Sequence, residues 1–188
     1  GTINTYSQND PLNGYKYMFG EGGIRIPMII SYPKKINTKN TLTQTVSLMD
    51  ILPTLLETVD ISIPENLDGK SLWPVIENNK EIHPQLVWSD GRVSWVVRKG
   101  KWKLARNIGW VHNTYKYENE VAVPAEKDYS FPGGTLLFDL ENDIGETKNI
   151  AEKYPEIVNE LENIYNTWRM QMSDPRYGNG KLKIKHDP

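Results

Sequence analysis

The sequence contains no cysteine, which removes disulfides, cysteine-based zinc sites and thiol nucleophiles together. Histidine is scarce as well. His83, His112 and His186 stand far apart, without the spacing of a ligand set, and no Gly-x-Ser-x-Gly elbow offers a serine nucleophile. No apolar run approaches the length of a membrane span, and the opening residues are polar rather than a signal peptide. Charge of one sign is also lacking. Lys and Arg total 22 against 24 Asp and Glu, a formal net charge of −2, so there is no broad positive field for nucleic acid. The one basic run, Lys181, Lys183 and Lys185, alternates with Leu182 and Ile184 and reads as a solvated tail or a final strand.

What is present suits a soluble fold. The 188 residues are enough for one full domain, or a small domain plus part of another, and 38% of them are hydrophobic. Six Trp and ten Tyr raise the aromatic share; such rings suit carbohydrate faces, though most rings are core. The chain through Tyr15 is rich in Asn, Thr, Ser, Pro and Gly and reads as loop. Residues 24–32, Ile-Arg-Ile-Pro-Met-Ile-Ile-Ser-Tyr, form a nearly continuous apolar run that predicts a strand buried on both faces. Asp50 precedes Ile51, Leu52, Leu55, Leu56 and Val59 at helical spacing, which predicts a helix packed on that sheet.

From Gln85 the period changes. Leu86-Val87-Trp88, then Val93, Trp95 and Val97, then Trp102 and Leu104 beyond the Lys99-Gly100 turn, predict an antiparallel meander that Thr135 to Leu140 extends. A final helix opens at Pro155, with Ile157, Leu161, Ile164, Tyr165 and Trp168 on one face to cover the meander. Residues 107–134 interrupt the strands with a long insertion that holds Trp110, His112, Tyr115, Tyr117, Tyr129 and Phe131.

Three motifs invite chemistry. Asp139, Glu141, Asp143 and Gly145 resemble a calcium loop, but Ile144 and Ile150 occupy the places of the obligatory Gly and Glu, so the acidic residues read as a turn. Gly20-Glu21-Gly22-Gly23 has neither dinucleotide nor P-loop spacing, and its glycines read as a tight turn. Lys16 lies on a Gly-rich stretch just before that turn. There a lysine is either an ordinary surface group or a cation that pins an anionic oxygen.

The string that surrounds Lys16 decides between these. Asn9-Asp-Pro-Leu-Asn-Gly-Tyr-Lys16-Tyr-Met-Phe-Gly-Glu21-Gly-Gly-Ile-Arg25-Ile-Pro27 resembles the signature of formylglycine-dependent sulfatases, in which Pro-Leu-x-Gly-x-Lys leads into Glu-Gly-Gly-x-Arg-Val-Pro. Later blocks keep that family's order. Asp50-Ile-Leu-Pro53-Thr54 and Asp68-Gly69-Lys-Ser71-Leu72 are followed by Val96 to Leu104 and by Leu137-Phe138-Asp139-Leu140-x-x-Asp143-x-x-Glu146-x-x-Asn149-Ile150. The sequence is thus similar to the C-terminal part of an arylsulfatase or N-acetylgalactosamine-6-sulfatase-like enzyme of the alkaline-phosphatase-like superfamily.

The resemblance implies a fold: residues 1–79 as the terminal portion of an α/β sandwich, and 80–188 as an α+β subdomain of antiparallel sheet and helix. It implies that Lys16 contacts the substrate sulfate and stabilises its oxygens during hydrolysis of a sulfate ester. Glu21 and Arg25 match the motif too, with structural pairing to each other as their plainer role. Trp110, His112 and Tyr115 in the aromatic insertion are candidates for substrate contact, with a packed lid as the alternative role of the same insertion.

The family's nucleophile, a formylglycine made in a Cys/Ser-x-Pro-x-Arg motif, has no counterpart here, and the Asp and Asn ligands of its calcium are absent as well. The chain alone is therefore expected to be inactive. Its implied partners are an N-terminal sulfatase domain and a sulfated carbohydrate or aryl sulfate, with no nucleic acid and no membrane span, in a periplasmic or secreted parent. Two other readings stay open at this point: a non-catalytic carbohydrate- or partner-binding module, and a phosphate or phosphonate ester hydrolase of the same superfamily.

Overall fold

The structure is a computed structural model that describes residues 9–16, 18–37, 39–91, 94–106 and 134–172, and the backbone at 115–118 and 121–124. Its elements in chain order are α1 (Glu21–Ile24), α2 (Ile51–Thr58), α3 (Trp73–Asn78), β1 (Leu86–Ser89), β2 (Trp95–Lys99), β3 (Trp102–Arg106), β4 (Tyr115–Glu118), β5 (Val121–Pro124), β6 (Thr135–Asp139) and α4 (Pro155–Gln171). They fall into two compact units, Gly1–Ile26 with Gln85–Pro188, and Pro27–Pro84. The boundary expected near residue 79 lies inside the second of these.

In the first unit, strands β1, β2, β3 and β6 form an antiparallel sheet in that order, which is the meander read from the alternating pattern. Strand side chains alternate between faces, so the two faces can be assigned from sequence. Trp95, Val97, Leu104 and Leu137 share one face, and α4 lays Leu161 and Tyr165 against them. Trp95 and Tyr165 stack with centroids 4.0 Å apart. Proline suits the first turn of α4 because its missing N–H would have no helical partner there. Val96, Ala105, Leu136 and Phe138 occupy the opposite face with Leu140, and Phe19 from the Lys16 loop packs against them. That loop is therefore seated on the sheet face that α4 leaves free.

A second, two-stranded sheet pairs β4 with β5, Tyr115 opposite Pro124 and Glu118 opposite Val121. It lies within the insertion that the pattern left without elements.

The second unit has a small core of Leu72, Val75 and Ile82, with Leu42, Val46 and Ile76 against it. Its centre is the buried Asp50. The carboxylate accepts hydrogen bonds from the Ser47 backbone N–H at 2.7 Å, the Lys70 N–H at 2.8 Å and His83 Nε2 at 2.8 Å. Thr54 Oγ1 donates to the Asp50 carbonyl and accepts from Leu72 N–H. A Cβ on Gly69 would collide with the Met49 carbonyl, so only glycine fits that approach. The Asp-x-x-Pro-Thr and Asp-Gly-x-Ser-Leu blocks are thus two halves of one hydrogen-bonded joint.

Two expectations for this region are corrected. Residues 25–32 enter no strand, and Ile29 is 95% exposed. A strand requires a hydrogen-bonded neighbour, and among the described residues this run has none. The helix expected after Asp50 is present, but it does not pack on a sheet through its apolar stripe. Pro53 and Thr54 are its buried side chains, while Ile51, Leu52, Leu55 and Val59 are exposed.

Candidate anion-binding loop and its buried support

Lys16 is exposed on a loop that folds back on itself over residues 9–25. Short polar contacts close the loop. Gly22 N–H donates to the Asn13 carbonyl at 2.6 Å and Met18 N–H to the Tyr15 carbonyl at 2.9 Å. Asn9 Nδ2 donates to the carbonyls of Gly14 and Gly22. The glycines of the Gly-Glu-Gly-Gly turn permit this closeness: a Cβ on Gly20 would lie 2.5 Å from the Asn13 carbonyl, and one on Gly22 2.5 Å from the Gly14 carbonyl. A Cβ on Gly23 would collide with the Met18 carbonyl and sit 2.7 Å from that of Tyr15. The backbone on both sides of Lys16 is therefore held by α1 and the residue before it.

Beneath this turn lies a network of buried charge. Glu21, Lys103 and Glu146 are each 0% exposed. Lys103 Nζ lies 2.8 Å from Glu21 Oε1 and 2.6 Å from Glu146 Oε1. Arg98 Nη1 reaches Glu21 Oε2 at 3.2 Å, and Arg25 Nη1 lies 3.9 Å from the same oxygen. The second Glu146 oxygen accepts the Glu21 backbone N–H at 2.8 Å, on the first residue of α1.

The network follows from the sheet register. Arg98 and Lys103 are directly opposite across β2 and β3, on the face that carries Phe19. Like charges so placed repel unless an anion lies between them. Glu21 is that anion for both, and Glu146 is the second acceptor for Lys103. Burial pushes the Glu146 carboxyl up to about 7, against the opposing pull of Lys103 and of the Glu21 N–H. Arg25 does pair with Glu21, as the motif suggested, but the closer partners of Glu21 are Lys103 and Arg98.

Glu146 reaches the network from the acidic segment after β6, which is a set of turns. Asp143 accepts the backbone N–H groups of Thr147 and Lys148 and the Thr147 hydroxyl. Asn149 Oδ1 accepts from Leu137 N–H on β6 and from Ala151 N–H, while its Nδ2 donates to the Thr135 carbonyl. Asp139 is hydrogen-bonded by Lys101 and Asn142; burial alone would raise its carboxyl, but these donors hold it below the ordinary range. Among the described residues no group of three or more His, Asp or Glu could hold a metal ion. The described residues thus do not form the calcium site that the family resemblance implies for a complete enzyme, and the sequence holds no cysteine as a thiol precursor of formylglycine.

Of the four candidate contact residues, the structure places Lys16 on the supported loop. Trp110 and His112 lie outside the described residues, and Tyr115 is placed by its backbone alone, at the start of β4. Lys103 and Glu146 went unnoticed as site residues. The signal that could have found them is the register of Arg98 against Lys103, which needs carboxylates on the same face.

Residues 14–171 match the family model described as N-sulphoglucosamine sulphohydrolase, C-terminal, and the chain belongs to this family of sulfatase C-terminal domains. Arylsulfatase K of Xenopus laevis is 32% identical over 152 residues, covering 79% of this chain and 26% of that protein. The ulvan-active sulfatase of Formosa agariphila is 24% identical over 194 residues, covering 92% of this chain and 38% of that protein. The crystal structure of Ps i-CgsB shares the fold, with a TM-score of 0.69 at 22% identity over 90% of this chain and 34% of that one. The architecture is accordingly the C-terminal part of the alkaline-phosphatase-like α/β fold, with its small antiparallel sheet packed on a helix. The chain spans about a quarter of the length of the arylsulfatase K relatives.

Proposed function

We propose that this chain is the C-terminal part of a sulfatase that hydrolyses sulfate esters of carbohydrates, and that Lys16 binds the sulfate group. The observation that carries the reading is a lysine exposed on a closed Gly-rich loop within the matched family region. An ammonium held in that way can offset charge on a tetrahedral anion as the ester bond breaks. The chain taken alone is inactive in this reading.

The rest of the enzyme acts as the partner of the exposed apolar surface in the 27–84 unit. Ile29, Leu52, Leu55 and Val59 stand open to solvent, a pattern that marks an interaction surface rather than a finished exterior. A sheet supplied by the remaining length of the relatives would give 25–32 a strand neighbour and cover α2. Among the described residues no helix is long and apolar enough to cross a membrane. An exported parent suits a carbohydrate substrate, and one relative is named an ulvan-active sulfatase.

The test is release of inorganic sulfate from sulfated carbohydrates by the full-length gene product, beside release of phosphate from the matched phosphate esters. Sulfate release at the higher kcat/KM supports the reading. Preferential phosphate release moves the enzyme to the other ester class, and no release of either favours a binding module. Removing residues 110–131 should alter which sulfated sugars are accepted. An unchanged profile excludes Trp110, His112 and Tyr115 from recognition.

A further inference from the structure

We propose that Glu146, acting with Lys103, is a positioning residue for Lys16: it fixes the turn that holds the sulfate-binding loop in its working shape. The proposal rests on the reading of Lys16 as the sulfate contact.

Three observations converge on Glu146. One of its oxygens accepts the Glu21 N–H, so it holds the first residue of α1, and the other faces the buried ammonium of Lys103. The chain is then continuous to Lys16 in two short steps. Gly20 and Gly22 press on the carbonyls of Asn13 and Gly14, and Gly23 on that of Tyr15, the residue before the lysine. The same turn braces the far side of the loop, because a Cβ on Gly145 would lie 3.0 Å from the Pro11 carbonyl.

The backbone supplies independent support. Glu146 has φ 55°, in the left-handed region that glycine occupies without strain and a glutamate does not. A turn alone would be served better by glycine. A glutamate kept in that conformation with its carboxylate buried against Lys103 points to a task for the carboxylate, and strained residues of this kind gather where a site is held in shape. The carboxylate is 0% exposed and faces Lys103 and the Glu21 N–H, so its effect on chemistry passes through the loop.

The test is a double-mutant cycle in the full-length enzyme, with turnover of a sulfated carbohydrate and inhibition by inorganic sulfate as readouts. Glu146→Gly suits the backbone but removes the clamp, whereas Glu146→Gln keeps an oxygen for the Glu21 N–H. With Lys16 present, Glu146→Gly should lower kcat/KM by roughly 10- to 100-fold, the scale expected when a contact group shifts by about an ångström. Glu146→Gln should retain most of the activity. In a Lys16→Ala background, Glu146→Gly should lower it by less than about 3-fold further, since residues that act through one another are not additive.

Equal losses from Glu146→Gly in the two backgrounds would overturn the proposal and leave Glu146 a stabilising residue only. So would wild-type kinetics and sulfate inhibition in Glu146→Gly. If Glu146→Gly does not fold, Glu146→Asn takes its place in the cycle, since asparagine tolerates the left-handed backbone but is too short to hold the Glu21 N–H: a loss carried equally into the Lys16→Ala background counts against positioning. Near-normal turnover in Lys16→Ala alone is a different failure, because it removes the underlying reading of Lys16.

Discussion

In the sheet-bearing unit, Glu21, Lys103, Glu146 and Arg98 form ion pairs with one another beneath the Lys16 loop, and both sheet faces are covered over their buried strands. In the 27–84 unit the buried polar centre, Asp50, is equally well satisfied, but Ile29, Leu52, Leu55 and Val59 face outward. Among the described residues, one region thus buries its apolar strands on both faces, and the other closes a polar joint while leaving its apolar helix face open. Polar joints close within short stretches of chain because they need a few atoms in contact. A sheet core needs neighbouring strands, and the described residues of the 27–84 unit contain none, in a chain that spans about a quarter of the length of arylsulfatase K.

Four changes would sharpen or break this contrast, beginning with the largest. Lys103→Met leaves Glu21 and Glu146 buried without their shared cation and should destabilise the sheet-bearing unit by about 3–5 kcal/mol at neutral pH. Urea unfolding of the full-length enzyme measures it, and a loss below about 1 kcal/mol would mean that the network is not closed.

The pH dependence follows from Glu146. Its folded carboxyl sits at about 7 against an ordinary 4.5, so the folded state holds a proton that the unfolded chain has released between those values. Stability from this group is therefore full below about pH 4.5 and is lost as pH rises through about 7, a change on the order of 3 kcal/mol at most. Glu146→Gln should flatten that slope in unfolding experiments across pH 4 to 8, a range chosen at about the two values. A slope unchanged by the substitution would assign it to other groups.

For the open surface, Ile29→Asp should lower the stability of the full-length enzyme by about 2–4 kcal/mol, where a neighbouring strand buries the position. In the 188-residue chain the same substitution should change stability by under about 0.5 kcal/mol, since the side chain is already in water. Equal effects in the two contexts would end the contrast. The smallest effect belongs to the ion pair of Lys99 and Glu160, where both side chains are 44% exposed. Lys99→Ala should cost less than about 1 kcal/mol, read by the shift in the thermal midpoint.

Much of the first unit was legible because local pattern and final packing agree there. The alternation in Trp95, Val96 and Val97 gives two buried faces, and the spacing of Ile157, Leu161 and Tyr165 gives the helix that covers one of them. The apolar run at 24–32 misled for a physical reason: composition reports the environment a segment is suited to, and here the neighbours that would provide it are not among the described residues. Short elements such as α1 and α3 escaped because one or two turns carry too little periodicity to register. The Lys16 loop was visible as a string, but its support was not. Glu146 is 125 residues from Glu21 in sequence, and the two meet at Lys103 on β3, on the sheet face where Phe19 packs.

The central claim is that Lys16 binds the sulfate group. Its most direct measurement is kcat/KM for a sulfated carbohydrate in the full-length enzyme, wild type against Lys16→Ala, with the unfolding transition recorded on the same samples. The expected result is a loss of roughly 100- to 1,000-fold, the scale for removing one donor to a developing anion, with an unfolding midpoint that does not move. Near-normal kcat/KM in a folded Lys16→Ala enzyme would contradict the claim.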